Sequence, residues 1–207
     1  MKTLRQWAGV MPPTSVDCSH TALLLVDFQR EYFDGKLPIP DGSAALSAAK
    51  RLVKSAEKAG VFVVHIHHVA ASPTAPLFAS GSSGAEPVDA LRPAEHHAVV
   101  IKRLPSSFAG TELLELLRQR QCNRVIVCGL MTHNCVDATT RDALHLGFAP
   151  IVVGDASATR DLPGVSGGAV VPAQQLHRAV LAGLADRIAD VMTCDEVVAL
   201  LARSKPQ

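Results

Sequence analysis

Five times along this chain a short apolar run stops at a polar residue or a glycine and gives way to a loop or a helical pattern. The runs are Ala22 to Val26, Val61 to Ile66, Ala98 to Ile101, Val125 to Cys128 and Pro150 to Val153. Runs this short read as strands, and runs with little polar alternation read as strands buried on both faces. Between them stand helix patterns with their own stops. Asp41 or Ser43 can cap a helix carrying Ala44, Leu46, Ala49, Leu52, Val53 and Ala56, closed by Gly60. Thr111 is placed to cap a helix over Glu112 to Arg120, with Leu113, Leu114, Leu116 and Leu117 inward. Further helices are predicted over Cys135 to Leu146, ended by Gly147, over Ala173 to Asp186 and over Asp195 to Ala202, with a short strand at Ile188 to Val191. Strands that alternate with crossover helices form a parallel sheet covered on both faces. The pattern therefore predicts an α/β, three-layer Rossmann-like fold, a mainly parallel sheet flanked by helices on both faces.

At 207 residues, 48% of them hydrophobic, the chain suits one substantial core. A single domain over 1–207 is expected, its core spanning about 20–202. Twenty basic and 19 acidic residues leave a formal charge of +1. So balanced a surface offers nothing to draw nucleic acid or an anionic membrane, and neither is expected as a partner. No apolar run reaches the length of a bilayer span, and Met1 to His20 lacks the apolar stretch of a secretory signal. Five cysteines without a CxxC pair point to reduced thiols and a cytoplasmic location.

One of those cysteines stands apart. The run Val125 to Cys128 reaches Gly129, a short polar turn follows, and Cys135 opens the next helical pattern. A thiol there lies over the carboxyl end of a parallel strand, where open α/β sheets place their ligands. It also lies at a helix N-terminus, whose free N–H groups favour thiolate over thiol. Asp27 ends the first strand and Lys102 the third. Taken singly, Asp27 could be a solvated cap and Lys102 a surface lysine. Because all parallel strands share one carboxyl edge, the three side chains can converge, and the convergence favours chemistry.

These same segments resemble the isochorismatase-like cysteine hydrolases, which include nicotinamidases, N-carbamoylsarcosine amidohydrolases and isochorismatases. The resemblance is carried by Leu23-Leu24-Leu25-Val26-Asp27-Phe28-Gln29, by Ile101-Lys102-Arg103-Leu104-Pro105-Ser106-Ser107-Phe108-Ala109-Gly110-Thr111-Glu112-Leu113, by Cys128 through Thr139, and by Gly154-Asp155-Ala156. It implies an Asp–Lys–Cys triad at Asp27, Lys102 and Cys135. It implies a cis peptide between Leu130 and Met131, which turns the N–H groups of Met131 and Cys135 toward a developing oxyanion. It also implies a homodimer or homotetramer. Lys102 and the helix N-terminus would lower the thiol pKa and Asp27 would take its proton, with Lys102 either tuning pKa values or positioning Asp27.

The expected activity is hydrolysis of a C–N bond, amide or carbamoyl, in a small-molecule substrate through a thioester. A vinyl-ether hydrolase of the isochorismatase type and a non-catalytic scaffold of the same fold are the alternatives. Phe28, Tyr32, Phe108 and His133 are candidate substrate-binding residues, with Phe33 and Phe78 as further walls. The long Pro/Gly/Ser/Ala-rich connection from Ala70 to Pro93 is expected to line the site. Nicotinamidases of the family hold a metal through a D-x-H motif after the second strand. His65-Ile66-His67-His68 stands there instead, without the Asp. These histidines are expected to hydrogen-bond the loop; no metal and no cofactor is expected.

Overall fold

The computed structural model describes residues 1–203. Six parallel strands form one sheet in the order β3-β2-β1-β4-β5-β6. They are β1 (Thr21–Val26), β2 (Phe62–His68), β3 (Ala98–Lys102), β4 (Arg124–Leu130), β5 (Ala149–Ala158) and β6 (Asp190–Met192). The helices are α1 (Leu4–Trp7), α2 (Gly42–Ala59), α3 (Leu113–Gln119), α4 (Asp137–His145), α5 (Ala173–Arg187) and α6 (Cys194–Arg203). Alternation along β1 divides the core in two. Leu23 and Leu25 pack with Ala45, Ala49 and Leu52 of α2 and with Val197 and Leu200 of α6. Ala22, Leu24 and Val26 pack on the other face with Leu113 and Leu117 of α3, Ala143 of α4 and Leu184 of α5. The result is the three-layer α/β fold that the pattern predicts. A fully buried leucine is worth roughly 1.5–3 kcal/mol, and β1 supplies three in a row.

The differences from the sequence reading are informative. On α2 the buried stripe runs through Ala45 and Ala48 rather than Ala44, which is exposed, and on α3 Leu114 and Leu116 are only half-buried. Asp41 stands before α2 without a side-chain capping bond, whereas Gly60 closes the helix in the left-handed conformation as expected. β2 runs on through His68, and the last strand starts two residues later than read, at Asp190. The unforeseen α1 docks on the far end of the fold, Arg5 pairing with Asp190 at 2.7 Å and Leu4 N–H donating to Asp186 at 2.9 Å.

β5 differs most. It extends to Ala158 because its pairing with β4 shifts: Val127 faces Val152, yet Gly129 faces Ser157. Ser157 Oγ holds this irregularity, accepting from Gly129 N–H at 3.2 Å and donating to the Val153 carbonyl at 3.0 Å. Gly129 has φ of +140°, and a Cβ there would sit 2.0 Å from the Val26 carbonyl oxygen. Only glycine admits both this conformation and the close approach of β4 to the end of β1. Gly129→Ala is accordingly expected to lower stability by more than about 3 kcal/mol in urea unfolding; a loss under about 1 kcal/mol would show that the two strand ends can move apart freely.

Candidate active site

The strand order reverses between β1 and β4, since β2 and β3 follow on one side of β1 and β5 and β6 on the far side of β4. Sheets of this order hold ligands in the crevice beyond the carboxyl ends at that reversal. Asp27 follows β1 and Cys135 follows β4, one on each side of it. Lys102, at the end of β3, faces His68 across the β2–β3 pairing. Its long side chain spans the gap.

The structure brings the three together in the interior. Lys102 Nζ lies 2.8 Å from Asp27 Oδ2 and 3.2 Å from Cys135 Sγ. Asp27, Lys102 and Cys135 are 0%, 1% and 4% exposed. The ammonium also lies 3.4 Å from His68 Nδ1 and 3.3 Å from the Leu104 carbonyl. The partners of the Asp27 carboxylate are the Lys102 ammonium and the Cys135 thiol. Asp27 itself holds a left-handed φ of 56°, a strained state for a residue with a side chain that persists only where the surroundings enforce it. Its N–H donates to the Ile66 carbonyl, and the next turn is closed by Gln29 N–H to the Asp27 carbonyl at 2.8 Å.

Charge and burial set the protonation states. Burial pulls the Lys102 pKa down, but Asp27 and Cys135 outweigh it and leave the lysine above its ordinary value. The Cys135 thiol is pushed up to about 12, by burial first and by the Asp27 charge second, with Lys102 offsetting part of the rise. This corrects the expected lowering. Cys135 also lies not in the first turn of an α-helix but in a π-type turn, Thr132–Val136, ahead of α4. Such wide turns recur at functional sites because they re-aim one side chain. The peptide joining Leu130 to Met131 is cis.

Several residues outside the motifs' reactive positions hold this arrangement. Gln29, fully buried, exchanges hydrogen bonds with the His68 backbone at 2.8 Å in both directions and donates to the Ala85 carbonyl at 2.7 Å. It thereby ties β1, β2 and the long connection. Glu31, also buried, accepts from Lys36 N–H and Phe78 N–H and pins that connection from beneath. Thr132 Oγ1 meets His177 Nδ1 at 2.8 Å, and His133 Nδ1 meets Thr159 Oγ1 at 2.5 Å. Ser107, in the block after Lys102, joins Thr139 of α4 at 2.8 Å. Asp155 accepts from the Cys194 N–H at 2.7 Å and so caps α6.

The expected wall residues divide. Tyr32 stands near the reactive group, its phenol pKa raised by burial and then by Asp27 and Cys135. Its ring meets Phe78 edge-on at 5.0 Å, and Phe78 in turn meets His68 at 5.4 Å. The long connection does enter this region, through Phe78. Phe28 packs in the core beneath α2, Phe33 lies partly buried at its edge, and Phe108 stacks on Phe148 at 5.9 Å on the opposite face. Packing accounts for all three. His65 bonds not the loop but His97, at 3.1 Å, and no third donor joins His65 and His67 among the described residues. Arg141 pairs with Asp137 of its own helix at 2.8 Å. The sequence reading passed over Arg160, whose charge reaches both Tyr32 and His133 and whose Nε is buried without a hydrogen-bond partner.

Two tests follow from the buried charges. Lys102→Met leaves the Asp27 charge buried and alone, with an expected loss of about 3–5 kcal/mol in urea unfolding; adding Asp27→Asn should return a large part of it. Thiol alkylation reads the second. With a pKa near 12, the thiolate fraction of Cys135 grows about tenfold per pH unit from pH 7 to 9 without a plateau. Asp27→Asn removes a charge that disfavours thiolate and should speed alkylation at fixed pH; slower alkylation would reverse the assigned sign.

The comparisons with known proteins agree with this architecture. Residues 21–196 match the isochorismatase domain model. The secreted isochorismatase effector Isc1 of Verticillium dahliae is 34% identical over 95% of this chain and 100% of its own length. The ureidoacrylate amidohydrolase RutB of Azorhizobium caulinodans is 28% identical over 70% of this chain and 79% of its own. Among solved structures, a cysteine hydrolase from Pseudomonas syringae superposes with a TM-score of 0.87 at 27% identity, covering 92% of this chain and 96% of that one. With its parallel sheet, the Asp27–Lys102–Cys135 cluster at the β1–β4 reversal and a domain match over most of its length, the chain belongs to the isochorismatase family of hydrolases.

Proposed function

We propose that this hydrolase cleaves a C–N bond, of the amide or carbamoyl kind, in a small molecule through a thioester on Cys135. The observation that carries the reading is the placement of one ammonium, Lys102 Nζ, within 3.2 Å of the Cys135 sulfur and 2.8 Å of the Asp27 carboxylate, all in the interior. A thiol with its pKa raised by burial and by Asp27 rests protonated, so the reaction starts with proton transfer. As Sγ attacks the substrate carbonyl carbon, its proton passes to Asp27 and the carbonyl electrons move onto oxygen. The N–H groups of Met131 and Cys135 receive that oxygen; one such donor is typically worth roughly 3 kcal/mol. The tetrahedral centre then expels nitrogen, which takes the proton from Asp27 and leaves as amine or ammonia. In the second half Asp27 accepts a proton from water, the hydroxyl attacks the thioester, and the thiolate leaves and is reprotonated. Lys102 stays an ammonium throughout, holding Asp27 in place and steadying each anion that forms.

The RutB relative, an amidohydrolase by name, and the cysteine hydrolase among the structural neighbours support the C–N and thiol parts of this reading. Near-complete enclosure of the reactive group favours a small substrate. Arg160, with its unpartnered buried Nε, is the group we assign to an acidic end of that substrate.

Turnover of a panel of primary amides, carbamoyl amino acids, lactams and isochorismate tests the assignment. Wild type is expected to hydrolyse at least one C–N substrate, and Cys135→Ala to lose about 10³-fold or more. Arg160→Gln should raise KM for an acidic substrate by about tenfold and for its neutral analogue much less. Isochorismate turnover that survives Cys135→Ala would replace the thioester route with vinyl-ether hydrolysis.

A further inference from the structure

At the amino edge of the sheet, across the fold from Cys135, Glu57 in the last turn of α2 meets His96 and His97 just ahead of β3. Their candidate donor atoms lie within 4.8 Å of one another. Glu57 Oε1 is 3.2 Å from His97 Nε2 and 3.8 Å from His96 Nε2. Donors around a tetrahedral zinc ion, at bond lengths of about 2.0–2.2 Å, stand about 3.3 Å apart. Small rotations of the exposed His96 ring would complete that spacing.

Proximity alone would not distinguish this cluster from an ordinary surface pair. His97 does. Its side chain is only 3% exposed, yet its Nε2 makes no directed hydrogen bond. At 3.2 Å the nitrogen and the Glu57 oxygen already stand at the spacing of two ligands on one ion. Behind the ring, Nδ1 lies 3.1 Å from Nε2 of His65, a buried β2 residue whose ring stacks on His97 at 5.2 Å. A metal-binding histidine usually donates its far ring N–H to a neighbouring acceptor, and His65 Nε2 is placed to accept from Nδ1 here. The Ala94 N–H also faces Nδ1, at 3.3 Å. Accepting that bond puts the ring proton on Nε2; with a metal bound, the proton stands on Nδ1, the Ala94 bond is given up and Nδ1 donates to His65 instead.

We propose that Glu57, His96 and His97 form a binding site for a zinc-class divalent cation, with the fourth position open to solvent. Two imidazoles and one carboxylate without thiolate suit zinc, cobalt, nickel or copper better than magnesium or calcium. The open position faces a cleft of about 260 Å³ lined also by Ser19, Phe62 and Arg120. The Arg120 guanidinium lies over the Phe62 ring at 4.8 Å. Its charge opposes the cation and at the same time favours an anion, rather than water alone, as the fourth ligand. The metal would clamp the end of α2 to the segment entering β3, the edge strand whose other end carries Lys102. The site is independent of the hydrolytic reading.

The test uses untagged full-length protein carrying Cys135→Ser, to remove a competing thiol, and dialysed against a chelator. Calorimetric titration with Zn²⁺ is expected to show one equivalent bound. Co²⁺ should give a d–d band without sulfur-to-metal charge transfer. Loss of a residue that merely orients a metal ligand costs about 10–100-fold in affinity, so loss of a ligand itself, in Glu57→Gln or His96→Ala, should weaken binding at least about tenfold. Zn²⁺ should raise the Tm of the parent and not of these variants. Both substituted residues are exposed, so folding is retained; His97→Ala, which opens a buried position, is secondary. Absence of saturable binding, binding kept within about twofold in both variants, or a sulfur charge-transfer band would each overturn the proposal.

Discussion

The buried ion pair between Lys102 and Asp27 is the constraint around which the rest of the carboxyl edge is organised. Taking a lysine and an aspartate out of water costs several kcal/mol per ion even after relaxation, and only close, well-supported pairing returns it. At 0% and 1% exposure this pair has no solvent to fall back on. The scaffold therefore has to fix both ends. β1 fixes one by forcing Asp27 into a left-handed backbone state beside Ile66. β3 fixes the other, by ending at Lys102 opposite His68. Gln29 then locks the His68 backbone to β1, so the spacing between the strands that carry the two charges cannot drift.

Cys135 is placed beside the ammonium by a different device. Here β4 comes unusually close to the end of β1, which Gly129 alone permits. The shifted pairing with β5 lets the chain leave the sheet there, and Ser157 satisfies the backbone groups freed by the shift. The π-type turn adds a wider step before α4. Thr132 and His133 anchor that turn to His177 of α5 and to Thr159 at the end of β5. Motif residues with no reactive atom thus acquire plain structural reasons: Ser107 and Thr139 join the block after Lys102 to α4, and Asp155 caps α6.

That division explains what the sequence could disclose. The strands were readable because parallel strands covered on both faces are continuous apolar runs, and the meeting of Asp27, Lys102 and Cys135 was readable because parallel strands share one carboxyl edge. The lengthened β5 and the π-type turn were not, since both arise from pairing between distant segments. Nor was the thiol's high pKa: the order of residues shows a helix following Cys135 but not that the sulfur is 4% exposed beside a carboxylate. Phe28 and Phe108 illustrate the same gap, as aromatics near a reactive residue in sequence can belong to opposite core layers. Arg160 and the His65–His97 contact depend wholly on tertiary placement.

The neutral thiol bears on how such a site can stay both stable and reactive. A resting thiolate would put two anions, Cys135 and Asp27, around the single Lys102 cation in a cavity closed to water. Keeping the proton on sulfur leaves one anion and one cation, the arrangement with the least unpaired buried charge. In the proposed reaction the proton reaches Asp27 only while the sulfur's developing charge passes through the new S–C bond to the substrate oxygen. Negative charge is then moved toward the Met131 and Cys135 N–H groups, and Lys102 faces one anion at a time rather than two. In that proposal the substrate itself completes the electrostatic balance, so that the thiol is nucleophilic when a carbonyl is present and guarded when it is not.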